Sequence, residues 1–218
     1  MKSAITFKAK FLLFAALLLA CCTVTFAQAA KDFFGSSETP CLYLGVDFTK
    51  NKIIDDATAN AMDIRDRQYA SINDVIINEA KKFDFKSAFH KSNVDHDLGL
   101  VSQMNSKINA EEIKSTSTAD FHRLQPSDIE GVVRGYRAAG KKGVGILLVA
   151  EGVSKSEKAI AIWVTLIDLS NGKMIMTERM EGKVGGFGFR NYIAAGVKSI
   201  LDAIEKKKYE EWKSKYGH

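Results

Sequence analysis

The chain is poor in cysteine and proline, with three and two respectively in 218 residues. Cys21 and Cys22 sit together near the N-terminus, which leaves Cys41 as the one cysteine of the body and excludes a disulfide framework there. Two prolines and a hydrophobic content of 46% exclude a disordered, low-complexity chain. No period of a solenoid or propeller is present. A Gly-x-Ser-x-Gly elbow and a Gly-Lys-Ser/Thr phosphate loop are also missing, which removes two common hydrolase signatures. A strong charge of one sign is lacking too. The formal charge is +5, and setting aside Lys2, Lys8 and Lys10 of the first ten residues, where no acid occurs, brings it to +2. That is too little to point to nucleic acid.

Those same lysines open the clearest signal that is present. They precede the uncharged apolar run Phe11–Ala20, and small residues follow. This is the layout of a secretory signal peptide over residues 1–27, and the run is short for a membrane span. Two processing routes compete. Ala27-Gln28-Ala29 fits the small-x-small pattern of signal peptidase, whereas Leu18-Leu19-Ala20-Cys21 resembles a bacterial lipobox, with cleavage before Cys21 and lipidation of that residue. Both predict export, to the periplasm or to the outer membrane or cell surface of a bacterium. A lipidated Cys21 holds the protein on a bilayer, because each buried methylene adds roughly 0.8 kcal/mol. Residues 28–40, including the polar stretch Lys31–Pro40, read as a tether. Residues 41–218 read as one domain, since about 190 residues suffice for a full core.

Within that domain, Cys41–Phe48 reads as a first strand, and Thr49–Asp56 as a polar loop broken by Ile53-Ile54. Ser71–Phe83 has helical spacing, with Ser71 as the cap and Ile72, Val75, Ile76 and Ala80 as the buried stripe. Val94–Met104 reads as a second strand region. Pro126–Ala139 reads as a helix with proline in its first turn and Gly140 at its end. Two apolar runs, Val144–Ala150 and Ala159–Ile167, precede Asn171-Gly172, a two-residue turn in which both positions need positive φ, and Lys173–Met180 returns. The glycine-rich stretch Gly185–Asn191 leads into a last helix over residues 191–208, striped by Ile193, Val197, Ile200, Leu201 and Ile204. The sum is an α+β (mixed α/β) domain, with a single sheet, a C-terminal antiparallel meander and helices packed mainly on one face.

The order of elements, with Leu42–Phe48 first and Trp163-Val164-Thr165-Leu166-Ile167-Asp168 late, resembles the small α/β domain of bacterial envelope proteins. The TolB N-terminal domain, the curli-secretion lipoprotein and the LpoB type are its representatives. Gly185–Asn191 and the section Asn51–Ala70 stand outside that pattern. The resemblance implies a partner-binding or assembly module without catalysis or cofactor, whose partner is another envelope protein or a second copy of the chain.

The candidate binding residues are Gly186, Phe187, Gly188, Phe189, Arg190 and Asn191. A glycine loop between strand and helix lets backbone N–H groups approach an anion, and Arg190 adds charge. The spacing matches neither the dinucleotide nor the phosphate-loop pattern, so a tight corner with Phe187 and Phe189 plugging the core or a groove is the competing reading. His90, Asp95, His96 and Asp97 are metal-ligand types without a second cluster to complete a shell, and no metal site is assigned. The alternative function is an envelope hydrolase or metal-dependent enzyme using His90, His96 or His122 with nearby acids. Tyr209, Trp212 and Tyr216 form a tail stripe that either lies on a membrane or partner groove or folds back on the sheet.

Overall fold

The strand β5 (Val144–Ser154) is buried at all eleven positions, so it needs cover on both faces. It pairs antiparallel with β6 (Ala159–Asp168), which pairs antiparallel with β7 (Lys173–Lys183). On its other side β5 runs parallel to β1 (Cys41–Asp47) along its first half and to β2 (Lys52–Ile54) at its end. β1 and β2 are therefore two halves of one interrupted strand. Short β3 (Asp95–His96) and β4 (Lys114–Ser115) extend the sheet in parallel beyond β1 and β2. Four of the six pairings are parallel, so the sheet as a whole is mixed and mostly parallel; the C-terminal antiparallel meander that the sequence predicts is confined to β5, β6 and β7, and the parallel pairings beside it were not expected. The reason is that apolar periodicity marks a strand without naming its neighbour, and β2 to β4 are too short to show periodicity at all. This computed structural model describes residues 28–136 and 141–217. The candidate leader, Cys21, Ala139 and Gly140 lie outside the described residues.

The break after β1 is held by two buried asparagines. Asn73 accepts from Val46 N at 2.7 Å, Asn105 accepts from Phe48 N at 2.8 Å, and both amides donate to Val46 O. They satisfy backbone groups that a continuous ladder would otherwise pair. Asn73 belongs to α2 (Tyr69–Asn78), which is entered through a turn Ala61–Asp63 and a π turn Ile64–Gln68. Asn60 is the cap of this helical stretch, accepting from Asp63 N, so Ser71 lies inside the helix instead of at its start. Asn105 ends α4 (Gly99–Asn105), which follows the four-residue α3 (Phe85–Ala88). Of the region Val94–Met104 expected as a strand, only Asp95–His96 is one, and α4 takes its second half with Val101 buried.

Residues 28–35 form α1, and Ala30, Phe33 and Phe34 are buried. The stretch read as a tether therefore begins with a docked helix. Lys91, itself buried, donates to the carbonyls of Phe33 and Ser36, and its ammonium lies 4.1 Å from the Phe33 ring. α5 (Pro126–Val133) carries its proline in the first turn, and Asp128 accepts from Gln125 N at 2.8 Å. α6 (Phe189–Ala203) continues through a second π turn, Ile204–Lys208, into α7 (Tyr209–Tyr216).

Helices cover both faces of the sheet. α1, α2, α6 and α7 pack on the face that carries Ile146, Leu148, Ile162 and Val164. α4, α5 and Tyr136 pack on the opposite face, over Leu147, Val149, Trp163 and Ile167. The expected one-sided packing holds for the longer helices only. Each such aliphatic side chain contributes about 1.5–3 kcal/mol on full burial. The tail stripe folds back: Tyr209 and Trp212 are buried, and Trp212 donates to Glu178 at 2.7 Å. The β6–β7 connection is wider than a two-residue turn, running over Leu169–Gly172 with Gly172 N bonded to Asp168 O at 2.7 Å. Gly172 has φ +69, while Asn171 stays at negative φ and its amide donates to the Asp168 carboxylate.

Candidate functional site

The glycine loop sits at the end of β7, where Gly186 (φ +96) and Gly188 (φ +81) adopt backbone conformations that other residues rarely hold. Gly188 is the cap of α6 and gives no side chain to it; Tyr192 N bonds to Gly188 O at 3.0 Å. The loop is tied by its own residues. Asn191 donates from its amide to Phe187 O at 3.1 Å, and Arg190 donates to Asn191 Oδ1 at 3.2 Å. Asn191 thus ties the corner, and Arg190 contributes one of its five N–H donors to it. The two aromatics part ways. Phe189 is half-buried against the core, whereas Phe187 is 95% exposed, the most exposed large apolar side chain described. The expectation that both would plug the core or a groove fails for Phe187, because positive φ on either side turns it outward.

The loop borders a cleft of about 540 Å³. Its apolar wall is made by Ile53, Val153, Val184, Phe189 and Tyr192, with Gly186 and Gly188 at the edge. Lys155, Lys158 and Asp56 give it polar groups. Lys155 is paired to Asp56 at 2.8 Å. Burial raises the Asp56 carboxyl, but the hydrogen bonds from Lys155 and Thr58 and the Lys155 charge outweigh it and hold the group below its ordinary value. Lys158 lies in the β5–β6 turn with φ +50, and no acid among the described residues pairs with it. Three left-handed positions, Lys158, Gly186 and Gly188, therefore line one cleft.

Sequence reasoning found the loop and missed the wall opposite. Ile53-Ile54 interrupting a polar stretch was the available signal: it is strand β2, buried against the end of β5. Lys155 and Lys158 carried no signal, since turn lysines are ordinary.

The histidines do not converge. His90 follows α3, stacks on Tyr209 at 4.0 Å and lies 3.6 Å from Glu210. His96 is on edge strand β3 beside Tyr43, and His122 packs on Phe121 near β2 and β4, at the other end of the interrupted strand. No group of three metal-ligating side chains occurs among the described residues. No helix among them is long and apolar enough to cross a membrane.

No protein-family model matches the chain, and no curated protein does. Among solved structures it is similar to the LpoB C-terminal domain from Salmonella enterica. The match has 11% identity and a TM-score of 0.25, and covers 72% of this chain and 96% of that one. It is one of the domain types that the order of elements resembles. At that score and identity the likeness carries nothing about partner or activity.

Proposed function

We propose that this chain is an exported, non-catalytic module of the bacterial cell envelope that binds another envelope protein through Phe187 and the adjoining cleft. The observation that supports this reading is the exposure of Phe187 beside an apolar wall. An isolated exposed phenylalanine is common, but one held outward by two left-handed glycines next to a concave apolar surface is a docking geometry. The partner chemistry follows from the rim: an apolar side chain for the Ile53–Val153–Phe189 wall, flanked by an acidic group for Lys158. The N-terminal segment with Cys21 supplies the attachment to the membrane.

Affinity capture from envelope extracts, with the full chain as bait, tests the reading. Phe187→Ala and Lys158→Glu are expected to lose the same captured protein while thermal unfolding stays unchanged; an identical captured set would overturn it. The attachment has its own test. Cys21→Ser is expected to release the protein from membranes, and a mature N-terminus at Gln28 or Ala30 would end the lipid-anchor reading.

A further inference from the structure

Residues 48–51 separate β1 from β2, while the matching stretch of β5 is only Ala150 and Glu151. The surplus forms a turn, closed by Asn51 N on Phe48 O at 2.9 Å. Asn51 is a third buried asparagine at this break, 4% exposed, and it donates from Nδ2 to Tyr69 Oη at 3.0 Å. Its Oδ1 is buried without a partner among the described residues. Nearly all buried polar atoms in folded proteins are paired, so this one is left for a donor from outside the chain. Asn51 lines a cleft of about 280 Å³. Lys50, Lys52 and Arg123 line it too, and none has a carboxylate within ion-pair distance among the described residues. Backbone carbonyls hold two of these cations in place: Lys52 donates to Glu112 O and Arg123 to Lys50 O. The acid of the cleft, Glu112, accepts from Asn109 Nδ2 at 3.1 Å. Three cations less one acid leave the cleft a formal charge of +2.

We propose that this cleft binds the phosphate monoester of a small hydroxylated molecule, with the phosphate on Lys50, Lys52 and Arg123 and a hydroxyl on Asn51. A water meets an unpaired amide oxygen, but it does not answer three cations. A phosphate monoester carries about −1.5 to −2 at neutral pH, which matches the cleft, and a guanidinium takes two of its oxygens side by side. Depth orders the ligand. Lys50 is exposed, and Lys52 and Arg123 are half-buried, so the anion sits at the mouth while the hydroxyl reaches inward and donates to the buried Oδ1. Ile113 and Leu124, both buried, back the carbon skeleton between them. The volume limits that skeleton to a short polyol or one sugar ring. The site shares no lining residue with the cleft beside Phe187, so it stands or falls separately from that reading.

Isothermal titration of the full chain with glycerol 3-phosphate, propyl phosphate and inorganic phosphate tests both halves of the site. Glycerol 3-phosphate is expected to bind about 10-fold tighter than propyl phosphate, which lacks the hydroxyl. Arg123→Gln should weaken it by about 10-fold. Lys173→Gln, which removes an exposed lysine at the far end of the β6–β7 pair, should leave it unchanged. Asn51→Ala should bring the two esters to equal affinity; if that variant does not fold, the comparison on the unaltered chain decides alone. Phosphatidylglycerol vesicles separate a lipid headgroup, whose diester carries one charge, from the free ester. Binding to the vesicles in preference to glycerol 3-phosphate would overturn the proposal. So would equal affinity of the unaltered chain for the two esters, an Arg123→Gln chain that binds as before, or no binding up to about 10 mM.

Discussion

Glu151 is fully buried in β5 and accepts from Leu124 N at 2.6 Å, from Trp163 Nε1 at 3.1 Å and from Arg179 Nε at 2.8 Å. Arg179 in turn donates to Phe121 O at 2.6 Å, so one carboxylate fastens the segment Phe121–Leu124 to the sheet. A charge at this position made the apolar run seem to stop at Ala150; the strand goes on to Ser154 because three donors satisfy it. Glu151→Ala leaves those donors unmatched and is expected to cost about 3–5 kcal/mol in denaturant unfolding. Glu151→Gln, which keeps an acceptor, should cost clearly less, and equal losses would show that the acceptor is irrelevant. Cys41 gives a second test at this scale. Burial, opposed by the nearby Lys91 charge, pushes its thiol up to about 11. In the folded protein it should resist alkylation at pH 8 and react only on unfolding, as rapid native labelling would disprove.

At the scale of elements, α1 and the β7–α6 crossing show what pattern reading can and cannot reach. Lys31–Pro40 looked like a tether because polar residues outnumber apolar ones, yet Phe33 is wholly buried, in edge-to-face contact with Phe34 and Phe89. Phe33→Ala should therefore cost about 3–5 kcal/mol by chemical denaturation, whereas a tether would tolerate it with no measurable change. The crossing of β7 and α6 depends on glycines. A Cβ on Gly182 would stand 2.1 Å from Gly196 O, and one on Gly196 would stand 2.3 Å from Ile160 Cγ2. Gly196→Ala is expected to shift the helix and destabilise by about 1–3 kcal/mol. The long strands and the last helix were legible because burial on a regular element repeats along the sequence. β2, β3 and β4 were not, since two or three residues cannot show a period and their pairing is paid for by distant partners. The same holds for the candidate site: the glycine loop is visible locally, while the wall of Ile53 and Val153 is assembled from segments about a hundred residues apart.

The molecule as a whole should be sensitive to alkali. Burial raises the phenols of Tyr43, Tyr69 and Tyr136 above their ordinary range, and the Asp47 charge adds to the effect at Tyr136, whose hydroxyl donates to Asp47 at 2.7 Å. The folded state thus keeps protons that the unfolded chain releases from about pH 10 upward, and stability falls as pH rises through that region. Lys91 acts in the opposite sense, since burial lowers it, but burial also raises the Tyr209 phenol, so it is one group against four phenols. Unfolding midpoints at pH 8 and pH 10.5 should fall steeply between the two, and Tyr136→Phe should reduce that slope; a flat profile would mean the phenols are solvated. The sequence by itself determined the mixed class, the three long strands and the final helix, because composition and period are properties of the chain alone. Only the tertiary structure decided the parallel pairings, the second helical layer, the docking of α1, the cleft beside Phe187 and the cation-lined cleft at Asn51. Each of these depends on which distant segments meet, and that is settled by burying both faces of β5 at once.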